Sequence, residues 1–284
     1  MVLVDFSRSS LDRSATLASG GASTVQRQRW REVLARTVDG RNPLARTYAD
    51  RMIADLTKAG GAPSRVLVVG GGQIGDGSAA LYAASGIEII AFDIYLSGDV
   101  TFVADAHAIP LRDKSVDAVW VQSVLEHVLD PVQAVAEIRR VLKPGGLLFA
   151  DASFLWPVNE GAYDYTRWTP AGFRWLLRDF DIIAGGSSSG PGTATLMALR
   201  YLLQSMLRSR KLGQIAAFPF LWLRLLDRLC DRPRALEAAG GLSYYARKAK
   251  TPAQARDLPN FYNRLPTLRK GELPSSRANE EKIF

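Results

Sequence analysis

The sequence predicts an α/β fold, a doubly wound and mostly parallel sheet with added helices. Three observations carry that prediction. Short apolar runs alternate with helical stretches between Arg65 and Phe180, as parallel strands with crossover helices require. The stretch VLVVGGGQIGDGSAA, 66–80, joins a β-branched run through glycines to small, helix-compatible residues, which is how a tight turn against a cofactor is written. An acid, Asp93, closes the second apolar run, 18 residues after Gly75. At 284 residues and 47% hydrophobic, the chain buries a full core and suits one large domain with decorations.

Taken in order, residues 1–60 read as a helical cap, with helices near Ser23 to Val38 and Pro43 to Lys58 separated by the breakers Gly40 and Asn42. Strands follow at Arg65 to Val69, Ile87 to Phe92, Thr101 to Val103 and Asp117 to Gln122, with a helix from about Gly77 after the first. Asp130 and Pro131 make a cap and a first-turn proline, and Ala134, Val135, Ile138, Val141 and Leu142 share one face of the helix they start. The run KPGG, Lys143 to Gly146, stops that helix, and Gly146 to Phe154 reads as the next strand. Thr169 and Pro170 start a helix through about Arg178, while Phe180 to Ile183 and Leu242 to Ala246 read as strands. The body of the fold is 61–250, with a helical insertion over about 193–234. After Thr251 the composition turns to Pro, Asn, Arg and Glu, which predicts a loosely held tail over 251–284.

Read literally, Gly70, Gly72 and Gly75 spell GxGxxG. The same turn serves a dinucleotide, a nucleoside cofactor, or a tight strand-to-helix turn with no ligand, since glycines let backbone pass where a Cβ would stand. Asp93 would take a ribose diol with its two carboxylate oxygens, or cap a helix. These two features leave the ligand open.

The run that follows narrows the choice. VADAHAIPLRDKSVDAVWVQSVLEHVLDPVQAVAEIRRVLKPGG, Val103 to Gly146, supplies Asp105-Ala106, Pro110-Leu111, Asp117, Leu125 to Val128, Asp130-Pro131 and Leu142 to Gly146 in that order. In that order they resemble the class I S-adenosylmethionine-dependent methyltransferases, specifically the methyltransferase type 11 group. The resemblance covers roughly Arg65 to Phe180 and continues more weakly to Lys248. It implies an antiparallel strand closing the sheet, with Leu242 to Ala246 as the candidate, and S-adenosylmethionine as cofactor. The activity it implies is methyl transfer, here to an oxygen of a small-molecule, glycan or lipid-linked acceptor. The piece FLWPVNEGAYDYTRWTPAGFRWLL, Phe154 to Leu177, is similar to a Pro…Asp-Tyr-x-Arg-Phe/Trp-Thr signature of a subgroup that looks like enzymes modifying bacterial cell-surface glycans or lipids. Two departures accompany the resemblance. Val68 occupies the position, two before the first glycine, where members carry an acid for the methionine end of the cofactor, and the turn is one residue longer than GxGxG. A non-catalytic binding scaffold therefore stays open beside the enzyme, with an NAD-linked oxidoreductase as a further alternative.

On this resemblance Gly70, Gly72, Gly75, Asp93, Asp105, Ala106 and Gln122 are expected to bind the cofactor. Asp105 would accept from the adenine amine with Ala106 beside the ring, or be a surface-turn aspartate; Gln122 and Ser123 would lie at the sulfonium. The sulfonium is already a good leaving group, so the protein has to align donor and acceptor and exclude water. A hydroxyl acceptor gains from a general base. His127, Asp151 at the end of the fifth strand, and Tyr165 are the expected catalytic residues, with a structural role for His127 as the alternative. His107 reads as a surface or cofactor-edge residue. Tyr163, Asp164, Arg167 and Trp168 crowd the following loop and are expected to line the acceptor pocket, Arg167 suiting a carboxylate or phosphate, unless Asp164 and Arg167 pair with each other.

The net charge of +8 is concentrated, with eight basic residues against Asp227 and Asp231 between Thr193 and Arg234. Around 215–230, Phe218, Leu221, Trp222, Leu225 and Leu229 alternate with Arg224, Asp227, Arg228 and Asp231 at amphipathic spacing. Such a face packs on the core as a lid or makes peripheral contact with an anionic membrane surface. No nucleic-acid partner is expected, because the basic residues are not interleaved with stacking aromatics in the motif segment. No Cys/His/Asp cluster has metal-ligand spacing. The one cysteine, Cys230, and a start without an apolar leader predict a cytoplasmic protein, and the chain lacks an apolar run of about 18 residues that would predict a spanning helix.

Overall fold

The computed structural model describes residues 1–9, 11–18, 42–58, 62–75, 77–230 and 232–264. Its seven strands are β1 Ser64–Val69, β2 Ile87–Asp93, β3 Phe102–Val103, β4 Val116–Gln122, β5 Leu142–Ser153, β6 Phe180–Ser189 and β7 Gly241–Lys248. They form one sheet in the order β3-β2-β1-β4-β5-β7-β6. β1 pairs in parallel with β2 and β4, β2 with β3, and β4 with β5, whereas β7 lies antiparallel between β5 and β6. This is the expected doubly wound sheet with its antiparallel last strand. The strand order reverses between β1 and β4, and a crevice opens beyond the carboxyl ends of strands at such a switch point.

The two-residue period of the strands sorts their side chains into two cores. Leu67 and Val69 of β1, Val119 and Val121 of β4, and Leu148 and Ala150 of β5 face one side. Val66 and Val68, Ala118 and Trp120, and Leu147 and Phe149 face the other. The short helix α1, Arg13–Ala18, precedes α2, Pro43–Thr57, which covers the second side. There Tyr48 stacks on Tyr245 at 5.5 Å. α3, Ala79–Ala83, is a single turn after the glycines, and α4, Pro131–Val141, covers the first side with Ala134, Val135 and Ile138. The Asp130 carboxylate accepts from the Gln133 N–H and caps α4, with Pro131 at its first position, as the sequence predicts. α5, Pro170–Leu176, starts at the Thr169 cap.

Several details differ from expectation for identifiable reasons. β5 begins at Leu142 rather than Gly146: Lys143 to Gly145 bulge outward, Gly145 takes φ +72°, and the pairing with β4 slips between Val116 and Ala118. β6 runs on to Ser189 because β7 pairs along its length. Residues 1–60, read as a cap, enter the sheet as well as cover it, since the Leu3 N–H donates to the Val103 carbonyl at 2.7 Å and the Val103 N–H to the Met1 carbonyl at 2.8 Å. The helix expected near Ser23 to Val38 lies outside the described residues.

Between β6 and β7 stand α6, Pro191–Met206, α7, Arg210–Ala217, a 3-10 helix, Phe218–Arg228, and α8, Arg232–Glu237. The Asp227 carboxylate from the 3-10 helix accepts from the Gly192 N–H and the Thr193 hydroxyl, each at 2.6 Å, and so caps α6 from outside. Part of the expected tail is ordered into a 3-10 turn, Ala255–Asp257, and α9, Leu258–Arg264. An aromatic in that polar stretch finds a slot, with Phe261 edge-on to Tyr244 at 6.2 Å. Residues 265–284 lie outside the described residues. Among the described residues no helix is long and apolar enough to cross a membrane.

Candidate active site

The glycine turn joins β1 to the ends of β2 and β4. Gly70 has φ +74°, and a Cβ there would stand 2.2 Å from Val124 Cγ2. The Gly72 N–H donates to Asp93 Oδ2 at 2.8 Å, and a Cβ on Gly72 would come within 2.5 Å of the Tyr95 hydroxyl. Asp93 Oδ1 accepts from the Ile94 N–H at 2.7 Å. Gly75 approaches β4 so closely that its Cβ would lie 2.7 Å from Gln122 Oε1. That oxygen accepts from the Trp120 indole N–H at 3.1 Å. The fold therefore brings Gly70, Gly72, Gly75, Asp93 and Gln122 together at the crevice. Val68 is buried in the second core and places no charge there.

Asp105 and Ala106 follow β3 and are buried. Asp105 Oδ1 accepts from the His107 N–H at 3.0 Å and from the His107 ring Nδ1–H, while Oδ2 accepts from the Ser9 hydroxyl at 2.5 Å. The other ring nitrogen of His107 accepts from the Asp130 N–H at 2.9 Å. Those contacts fix a neutral imidazole with its proton on Nδ1. His107 is thus a buried strut between the β3 loop and α4 rather than a surface residue. The Ser9 hydroxyl thus takes up one acceptor site of the carboxylate expected to meet an adenine amine.

A cavity of about 280 Å³ opens at the carboxyl ends of β4 and β5. Its floor is a polar row across three strands, with Gln122 opposite Asp151 and Asp151 opposite Ser243. Asp151 is 5% exposed. Its Oδ2 accepts from Asn42 Nδ2 at 3.0 Å and from the Ser243 hydroxyl, and its Oδ1 from the Ser123 hydroxyl at 3.2 Å. Burial raises the carboxyl above its ordinary range despite these donors. Glu126, 2% exposed, lines the same cavity. Its Oε1 accepts from the Ser153 hydroxyl at 2.7 Å, whereas Oε2 is buried with no hydrogen-bond partner. Burial raises this carboxyl too, and the neighbouring Asp151 adds to the effect. Ser123, just beyond β4 and three residues before Glu126, takes φ +53°, a conformation that non-glycine residues adopt at a cost and that clusters at functional sites.

The other expected residues lie in the loop beside the cavity. His127 Nδ1–H donates to the Tyr163 carbonyl at 2.8 Å. The Tyr165 N–H donates to the Glu126 carbonyl at 2.9 Å while its ring is exposed, as is that of Tyr163. Both Arg167 terminal nitrogens pair with the Asp164 carboxylate, and Arg167 Nε donates to the Trp156 carbonyl at 3.0 Å. Burial works against the Asp164 charge, but the guanidinium holds its carboxyl below the usual range. The guanidinium is therefore turned into the loop onto Asp164, as the ion-pair reading of the sequence had it. Trp168 packs against the core. None of His127, Tyr163, Asp164, Tyr165, Arg167 and Trp168 lines the cavity, whereas Trp156 and Asn159 do. Glu126 had a sequence signal in its place within Leu125 to Val128; Asn42 and Ser243 had none, since they reach Asp151 from 109 and 92 residues away.

A family model described as "Methyltransferase domain" matches residues 73–150. A demethylmenaquinone methyltransferase of Renibacterium salmoninarum is 36% identical over 129 residues, which are 41% of this chain and 51% of that protein. A ubiquinone/menaquinone biosynthesis C-methyltransferase of Acidiphilium cryptum is 37% identical over 103 residues, 31% of this chain and 41% of that one. The chain thus spans about half the length, or less, of these relatives. A solved putative sarcosine dimethylglycine methyltransferase from Galdieria sulphuraria aligns with 84% of this chain and 97% of its own at 17% identity and a TM-score of 0.48. Over residues 73–150 the chain is thus similar to a methyltransferase domain, and its ordered motifs and sheet order agree with that match.

Proposed function

We propose that the chain binds S-adenosylmethionine over the glycine turn and methylates an oxygen of an acceptor seated in the Asp151 cavity. One observation carries the reading: Gln122 belongs to both places. Its Oε1 abuts Gly75 of the turn, and the residue lines the acid-bearing cavity. Cofactor cradle and acceptor cavity are therefore continuous.

The residues fit such a cofactor. Gly72 has no room for a Cβ beside Asp93, whose carboxylate stands at the end of β2 to take ribose hydroxyls. Gln122 would orient the donor toward the cavity. When bound, the cofactor supplies an electrophilic methyl on a positive sulfur. The chain supplies alignment, exclusion of water and a place for the acceptor's proton. Asp151 is the residue to take that proton, because it lies on the cavity floor and burial raises its basicity. Glu126, with one oxygen lacking a partner, is the second polar contact for an acceptor hydroxyl. The names of the matched relatives favour a second reading, methylation of a ring carbon beside a hydroxyl, in which the same carboxyl takes the hydroxyl proton. A glycan or lipid-linked acceptor would enter through the Phe154–Trp168 loop.

The test is calorimetric titration of the chain with S-adenosylmethionine and S-adenosylhomocysteine, with NAD(H) as control and Asp93→Ala alongside. Micromolar adenosyl binding, weakened about ten-fold or more by the substitution, supports the reading, as loss of a charge-assisted hydrogen bond of about 1.5–3 kcal/mol requires. Absence of adenosyl binding leaves a non-catalytic scaffold, and nicotinamide-dependent turnover an oxidoreductase. Carbon-13 methyl labelling of any product separates O- from C-methylation.

A further inference from the structure

We propose that the helical insertion between β6 and β7 is a docking surface for an anionic membrane, holding the cavity mouth at the bilayer. Among the described residues the surface is apolar without being covered. Met206 is 70% exposed, Ile215 69%, Trp222 54% and Leu229 81%, and Phe218 and Leu225 are exposed with them. They come from α6, α7 and the 3-10 helix, which pack on one another and turn these side chains outward. No side chain of the 3-10 helix FPFLWLRLLDR is buried. With three residues per turn, Trp222, Leu225 and Arg228 stand above one another on a single ridge.

The charge fits the same partner. Residues 191–234 hold eight basic residues against two acids, Asp227 and Asp231. Of these, Asp227 is occupied as the cap of α6. Arg208, Arg210, Lys211 and Arg228 are exposed among the apolar side chains. Large apolar residues with a tryptophan, bordered by arginine and lysine, are the chemistry of insertion into an anionic lipid interface.

The surface is also joined to the cavity. α6 starts at Pro191, two residues beyond Ser189, and Ser188 and Ser189 line the cavity. The Tyr201 hydroxyl donates to the Val158 carbonyl at 3.2 Å, next to Asn159, another lining residue. Docking of the insertion would bring the rim to the membrane, where a lipid-linked acceptor resides. The lipid binding stands apart from the proposed chemistry; only its use for the acceptor rests on it.

The experiment is flotation of the full chain with vesicles of phosphatidylcholine alone or with about 30% phosphatidylglycerol, at low salt and at about 0.5 M NaCl. The chain is expected to float with the anionic vesicles at least about ten-fold more strongly than with neutral ones, and to lose most binding at high salt. Trp222→Glu with Leu225→Glu, and separately Arg208→Glu with Arg210→Glu and Lys211→Glu, should each weaken binding about ten-fold or more. Brominated lipids should quench tryptophan emission in the parent chain and far less in Trp222→Phe, which keeps the fold. Asp93→Ala should float like the parent, so a failure of the cofactor reading is distinguishable from a failure of this one. The proposal is overturned if the parent ignores anionic vesicles, if the glutamate variants bind them equally, or if light scattering shows the face holding two copies of the chain together.

Discussion

Two apolar segments of this chain, each with a tryptophan at its middle, meet opposite fates. β4, VDAVWVQ, buries Val119, Trp120 and Val121 completely, and Trp120 stacks on Phe149 at 3.9 Å. The 3-10 helix, FPFLWLRLLDR, buries no residue, and Trp222 faces solvent. Apolar content does not decide burial; a partner surface does. β4 lies between two strands and under helices on both faces, so both its edges and both its faces are covered. The 3-10 helix packs on α6 and α7, and among the described residues Phe218, Trp222 and Leu225 stay exposed on its other sides.

The sharpest way to test the value of the buried half is at its chemistry. Asp151→Asn should lower methyl transfer by about 10²–10⁴ while leaving adenosyl affinity unchanged, measured as kcat against cofactor Kd. Equal losses in both would mean that Asp151 holds the cradle and takes no proton. Next in size is the packing contrast itself. Phe149→Ala should cost about 3–5 kcal/mol in denaturant unfolding, whereas Trp222→Ala should stay within about 0.5 kcal/mol. Comparable losses would show that the insertion is covered within the folded chain and would dissolve the comparison.

Smaller effects refine it. Asp227→Ala should cost about 0.5–2 kcal/mol, the value of a helix cap, because the Gly192 and Thr193 N–H groups lose their acceptor. The insertion would then show its own low-stability opening in hydrogen exchange ahead of the sheet. The least effect is on pH dependence. Burial raises the folded Asp151 carboxyl above its ordinary 3.8, so the folded chain keeps a proton that the unfolded chain has released between 3.8 and the raised value. Stability falls as pH rises through that interval and is level above it. Relative to Asp151→Asn, the parent should therefore gain stability as pH is lowered toward 3.8, seen as converging or crossing Tm curves.

Much of the fold was legible before any coordinates. The alternation of apolar runs located the strands, the Asp130-Pro131 pair located α4, and the glycine turn with Asp93 marked the cradle, because each depends on residues close in sequence or on local backbone chemistry. Boundaries were less legible where pairing rather than propensity sets them, as at the start of β5 and the end of β6. The site divided in the same way. Gln122 and Asp151 could be named because strand ends are sites in open parallel sheets, but the sequence left Arg167 open between an anionic acceptor and Asp164, and its donors go to Asp164 and the Trp156 carbonyl.

By itself the sequence determined the strand–glycine turn–helix order, the capped helices and the ends at which chemistry would sit, since these follow from side-chain period, glycine conformation and capping. Only the tertiary structure decided that Asn42, Ser123 and Ser243 converge on Asp151, that Glu126 shares its cavity, and that the insertion leaves its apolar side uncovered. Those outcomes depend on strand order and on which surfaces face each other across tens to hundreds of residues, and local patterning carries no record of either.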